Sequence, residues 1–156
     1  MRHKAARSVE VLLAQVSVLL VDNNPGFLRI LTSFLERFGQ NEIVILGTAG
    51  GGKEALTRVQ ALRPQVIIID LVMPDLNGLE TIPQLRSMLP DAGIIALTLM
   101  DSTSYRQAAL MAGANDFVSE TRLDTDLLPA IRRFRRGDGN LQGSANGLGG
   151  AGALGA

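Results

Sequence analysis

The stretch Val66-Ile67-Ile68-Ile69-Asp70-Leu71-Val72-Met73-Pro74 decides how the rest of the chain is read. Four consecutive β-branched residues run straight into an aspartate. Such a continuous apolar run predicts a strand buried on both faces, as in the middle of a parallel sheet. The strand cannot pass Asp70 without burying a charge, and Pro74 lacks the N–H that a ladder needs. Asp70 is therefore expected at the carboxyl end of a central strand, the edge where open α/β sheets bind ligands. A carboxylate there either caps a loop or belongs to a site, and the other strand ends bear on which.

Upstream, Val16 to Val21 predicts a first buried strand, followed by the turn cluster Asp22-Asn23-Asn24-Pro25-Gly26. Phe27, Ile30, Leu31, Phe34, Leu35 and Phe38 recur at three- and four-residue spacing, the apolar face of a helix stopped by Gly39. Glu42 to Leu46 predicts a second strand, Gly47 to Gly52 a flexible loop, and Lys53 to Leu62 a helix with Pro64 just beyond it. Downstream, Gly78 to Leu89 predicts a third helix, with Pro83 placed near its start, where N–H groups lack partners anyway. Ile94 to Leu97 predicts a strand ending at Thr98, Ser102 to Met111 a helix, Asp116 to Val118 a short strand and Asp124 to Arg136 a last helix. Five strands alternating with five helices imply right-handed crossovers and a parallel sheet covered on both faces.

A chain of 156 residues has room for one ordinary domain and a tail, and 46% hydrophobic content suffices for a core. Lys+Arg and Asp+Glu are both 15, so net charge gives no argument for nucleic acid. The absence of cysteine excludes disulfides and thiol chemistry and fits a cytoplasmic setting. Residues 1–15 read as an N-terminal extension, either a short amphipathic helix through Val9, Leu12 and Leu13 or a frayed end. The apolar segment there is too short and too interrupted by Glu10, Gln15 and Ser17 to span a membrane. Residues 137–156 are mostly Gly and Ala and read as a disordered tail or linker. Between them, residues 16–136 form the patterned domain. The basic run Arg132, Arg133, Arg135 and Arg136 is explained more simply by a solvated helix end than by a binding patch.

The strand ends collect a polar pocket: Asp22 and Asn23 from the first strand, Asp70 from the third, Thr98 from the fourth, and Ser119-Glu120 from the fifth. Clustered hard oxygen donors suit Mg²⁺, which takes few protein carboxylates and keeps several waters. Asp70 could then attack phosphorus as a nucleophile to give an acyl phosphate, with the Thr98 hydroxyl on a phosphoryl oxygen.

In four segments the chain resembles the receiver domain of two-component response regulators. They are Val18-Leu19-Leu20-Val21-Asp22-Asn23, Ile69-Asp70-Leu71-Val72-Met73-Pro74-Asp75-Leu76-Asn77-Gly78, Ala96-Leu97-Thr98, and Gly113-Ala114-Asn115-Asp116-Phe117-Val118-Ser119-Glu120. The resemblance covers roughly residues 16–136. It implies a flavodoxin-like doubly wound α/β sheet of five parallel strands in the order 2-1-3-4-5, with five helices. It also implies Asp70 as phosphoacceptor, Thr98 as switch hydroxyl and Phe117 as switch aromatic. The implied metal ligands are Asp22, Asn23, Asp70 and the backbone carbonyl of Val72. The chain departs from the family at three places. Asn23 replaces the second acidic residue, which weakens Mg²⁺ binding by one charge. Glu120 stands where the family has a lysine that pairs with the acceptor. Leu99 is larger than the small residue usual after the hydroxyl. The wording from Met73 to Thr81 is most similar to receivers that carry a DNA-binding helix-turn-helix.

Two functions follow from this pattern. The first is a phospho-accepting switch, loaded at Asp70 by a sensor histidine kinase or phosphotransfer protein. Its partner-binding face lies on the fourth helix, fifth strand and fifth helix, which is also a face for homodimers. Its output is expected through a downstream protein partner or an effector domain outside this chain, with no direct nucleic-acid binding and no membrane contact by the chain itself. The alternative is a degenerate receiver kept as a phosphorylation-independent interaction or dimerisation module, favoured by Glu120 and opposed by the retained Asp22, Asp70 and Thr98. No turnover enzyme is expected beyond self-phosphorylation and autodephosphorylation.

Overall fold

A computed structural model describes residues 15–99 and 103–135. The N-terminal extension up to residue 14, the tail, Ser102 and Arg136 lie outside the described residues. In chain order the elements are β1 (Val16–Val21), α1 (Pro25–Phe38), β2 (Ile43–Ala49), α2 (Gly52–Leu62), β3 (Val66–Asp70), α3 (Gly78–Met88), β4 (Gly93–Thr98), α4 (Thr103–Ala112), β5 (Asp116–Ser119) and α5 (Leu123–Arg132). A 3₁₀ turn at Glu120–Arg122 joins β5 to α5. No helix among the described residues is long and apolar enough to cross a membrane.

All strand pairs are parallel, in the order β2-β1-β3-β4-β5. The expected architecture is therefore the observed one, and β3 lies at its centre. Ile67, Ile68 and Ile69 are fully buried. Each contributes roughly 2–3 kcal/mol of apolar burial. Alternation along the strands divides the core in two. Leu19, Ile67, Ile69, Ile94 and Phe117 face Ala55, Val59, Ile82, Leu85 and Ala109 of α2, α3 and α4. Val18, Leu20, Ile68, Leu97 and Val118 face Leu31 and Leu35 of α1 and Leu127 and Ile131 of α5.

Several boundaries differ from the sequence reading, each for a local reason. β2 runs on to Ala49 where a loop is expected from Gly47. It is an edge strand, and the pairing with β1 shifts register between Val18 and Leu19, so Leu46 is bulged out and Gly47 pairs with Leu19. Ile30 and Phe38 are exposed rather than inward, because the contact line of α1 runs through Leu31 and Leu35. The Phe38 ring instead packs on Phe34 at 5.1 Å, with the Arg37 guanidinium over it at 5.4 Å. Pro83 lies in the sixth position of α3, past the first turn, so the Leu79 carbonyl loses its helical donor. Pro83 is exposed, which leaves water to replace that bond. The described arginines of the basic run pair within the domain. Arg132 (3.1 Å) and Arg135 both pair with Glu42, and Arg133 pairs with Asp116 at 3.0 Å. These half-exposed pairs are worth at most about 1 kcal/mol each, but they tie the end of α5 to the start of β2 and to β5.

Candidate functional site

Parallel register brings the strand ends together. Val21 pairs with Ile69, so Asp22 and Asp70 leave neighbouring strands side by side. Asp70 pairs with Leu97, and Thr98 with Ser119, which sets Thr98 and Glu120 on the other flank. One carboxylate oxygen from each of Asp22, Asp70 and Glu120 lies within 4.8 Å of the others. Thr98 is buried beside them at 1% exposure.

Local backbone chemistry holds each carboxylate. Asp22 is only 3% exposed, and its Oδ1 accepts the Asn24 N–H at 2.8 Å. Asn24 then caps α1 by accepting the Phe27 N–H at 3.2 Å. Asp70 Oδ1 accepts the Val72 N–H at 3.0 Å. The loop after Asp70 is pinned by the Gly78 N–H, which donates to the Leu71 carbonyl at 3.0 Å. A Cβ at Gly78 would stand 2.5 Å from the Asp70 carbonyl oxygen, so a side chain there cannot coexist with this loop.

The cluster opens to solvent through a depression of about 450 Å³ past Asp22, Asn23, Asn24 and Phe27. A second one, about 290 Å³, runs past Val72 and Thr98. Asp70, Leu99 and Glu120 line both. A separate depression at the opposite sheet edge, beside Arg63, Gln65 and Phe134, has no converging carboxylates.

Three carboxyl groups this close cannot all ionise freely. Burial pushes Glu120 up to about 7, with the charges of Asp70 and Asp22 adding to it. Burial also pushes Asp70 up to about 6, opposed by the Val72 N–H and reinforced by the Asp22 charge. Asp22 is raised as well, again chiefly by burial, although its hydrogen bond from Asn24 lowers it in part. Perturbed carboxyls converging in a cleft make this the candidate functional site. The donor set is all hard oxygen, and a divalent cation there would stabilise the ionised carboxylates against burial and against one another. The residues present therefore fit the ion that the sequence suggests.

Among the sequence-derived site residues, Asp22, Asn23, Asp70, Val72, Thr98 and Glu120 all line the depressions. Phe117 does not. It is buried at 4% exposure toward α4, with the Arg106 guanidinium 5.3 Å from its ring. Among the described residues no lysine or arginine lines the two depressions: Arg122 pairs with Asp126 at 3.3 Å, and Lys53 is exposed on the first turn of α2. Sequence reasoning missed Asn24 and Phe27 as lining residues. The signal was available in Asp22-Asn23-Asn24, since an aspartate two residues before an asparagine can accept its N–H and so start the following helix.

Residues 18–132 match the response regulator receiver domain, and the chain belongs to that family. Among curated relatives, the response regulator protein VraR of Staphylococcus aureus is 32% identical over 125 residues, which cover 79% of this chain and 58% of VraR. The chain thus spans little more than half the length of the curated relatives it matches. Among solved structures, the response regulator domain of Thermotoga maritima CheB is 26% identical with a TM-score of 0.69, covering 76% of this chain and 95% of that one. The chemotaxis protein CheY4 of Vibrio cholerae is 29% identical with a TM-score of 0.65, covering 78% and 99%. Receiver domains are signalling modules of two-component systems rather than turnover enzymes.

Proposed function

We propose that this receiver accepts a phosphoryl group on Asp70 and thereby changes the partner preference of its α4–β5–α5 face. The observation that carries the proposal is the half-buried Asp70 carboxylate at the end of the central strand, within 4.8 Å of its two carboxylate neighbours. An oxygen of Asp70 attacks the phosphorus of a phosphohistidine on a sensor histidine kinase or phosphotransfer protein. The new P–O bond forms as the P–N bond breaks, and the imidazole leaves with the electron pair and takes up a proton.

Asp22, Asn23, Asp70 and the Val72 carbonyl would hold Mg²⁺, weakly because Asn23 brings no charge. Bound there, the ion supplies positive charge against the phosphoryl oxygens. Thr98 would place its hydroxyl on one of those oxygens. Burial raises the Glu120 carboxyl, and its protonated form can donate to the phosphoryl group rather than repel it. Movement of Thr98 and of the Phe117 ring would carry the change to the α4–β5–α5 face as a population shift. Output then passes in the cytoplasm to a protein partner, to a second copy through that face, or to a further domain of the kind the longer relatives have room for.

The test is incubation with acetyl phosphate and Mg²⁺. An acid-stable, base-labile phosphoryl adduct that Asp70→Ala lacks supports the switch. No adduct, together with partner binding indifferent to Asp70→Ala, supports the docking module instead.

A further inference from the structure

We infer that Arg106 is a positioning residue for Phe117: its guanidinium, laid over the ring, clamps that ring in the core and so biases the α4–β5 side of the partner-binding face. The inference deepens the proposed switch, since it concerns the ring whose movement carries the signal there. The clamp itself is made of Arg106 and Phe117 alone and uses no group of the acceptor site.

β5 is the outer strand of the sheet on the β4 side. Phe117 lies opposite Ala96, and Ser119 opposite Thr98. Side chains two residues apart on a strand share a face. The Phe117 ring therefore stands on the same face as Thr98, one pair further down the β4–β5 ladder. It belongs to the same buried cluster as Ala96, Ala109 and Ala114. These neighbours are small and interdigitate little with a ring, so what closes the site from outside bears on how firmly the ring is held.

Arg106 supplies that closure. It is exposed on α4, and its guanidinium carbon lies 5.3 Å from the centre of the Phe117 ring. That is within reach of a cation–π contact. None of the ion pairs found among the described residues includes Arg106, so no carboxylate draws the guanidinium away from the ring. Its aliphatic stem can cover apolar surface while the charged head keeps its water. For the ring to swing out, it must lose the guanidinium and bring its own apolar surface into water. The burial is common to any phenylalanine there, whereas the cation is particular to this chain. At an exposed site a cation of this kind shifts a two-state population ratio by about two- to fivefold.

The experiment labels the full chain with 4-fluorophenylalanine, assigns the Phe117 line by its loss in Phe117→Leu, and measures the exposed-ring population by fluorine saturation transfer without phosphoryl donor. In Arg106→Gln that population should rise about two- to fivefold over wild type. The lines of the other phenylalanines should stay in place, which separates a local clamp from a general loosening of the fold. Arg106→Lys keeps a cation and should lie closer to wild type than to Arg106→Gln. Equal populations in wild type and Arg106→Gln, no exposed state in any of these proteins, or Arg106→Lys matching Arg106→Gln would overturn the clamp. Acetyl phosphate and Mg²⁺ added afterwards test the acceptor separately: no adduct on Asp70 would overturn the switch and leave the Arg106 result standing.

Discussion

Replacing Glu120 by glutamine should stabilise the protein at alkaline pH and leave it unchanged in acid. Folding pushes the Glu120 carboxyl up to about 7, first by burial and then by the charges of Asp70 and Asp22. An unfolded glutamate titrates near its ordinary value of about 4.3. For an acid raised in this way, the native state binds protons more tightly than the unfolded state. Its contribution to stability is fully present below about pH 4 and is lost as pH rises toward 7 and above. At about 1.36 kcal/mol per pKa unit the ceiling is ~4 kcal/mol. Glu120 is partly exposed, and screening reduces the sum to ~1 kcal/mol. Glutamine keeps the shape and does not titrate. Urea unfolding with a chelator present should therefore show Glu120→Gln more stable by ~1 kcal/mol at pH 8, a thermal midpoint about 4 °C higher, and equal to wild type at pH 4. A variant equally stable or less stable than wild type at pH 8 would refute the reasoning, because Glu120 would then not be facing like charge.

Three further outcomes follow from the same geometry. Mg²⁺ should raise the thermal midpoint at pH 8, where the cluster is ionised, and much less at pH 5, where protons already quench it; calorimetry with and without EDTA reads the difference. Gly78→Ala should cost about 2–3 kcal/mol in urea unfolding, because its Cβ would press on the Asp70 carbonyl oxygen and displace the acceptor loop. Ile68→Ala should cost about 3–4 kcal/mol, because the side chain is fully buried between β3 and the α1–α5 layer and leaves a cavity.

The parallel sheet and the place of Asp70 at a strand end were legible from pattern, and the strand order from the resemblance to receiver domains. Val66 to Ile69 could be nothing but a central strand, and the charge at Asp70 had to fall at its end. The gathering of Asp22, Thr98 and Glu120 around Asp70 then followed from parallel connections alone. What escaped the sequence depended on contacts between distant residues. The pairing of Glu42 with Arg132 and Arg135 spans almost the whole domain, and no local pattern joins those residues. The extension of β2 through Gly47 depended on a bulge against β1. The exposure of Ile30 and Phe38 depended on which line of α1 meets the sheet. The sequence placed Glu120 at the end of the fifth strand, but only the folded geometry shows how close its carboxylate comes to Asp22 and Asp70.

The central claim is that Asp70 is the residue that takes the phosphoryl group. The most direct measurement is peptide-level mass spectrometry after an acid quench, on wild type and Glu120→Lys incubated with acetyl phosphate and Mg²⁺. The expected result is a phosphoryl group on Asp70 in both proteins, with higher occupancy in Glu120→Lys, because a cation there would pair with the group. A phosphoryl group on another carboxylate, or none in either protein, would contradict the account.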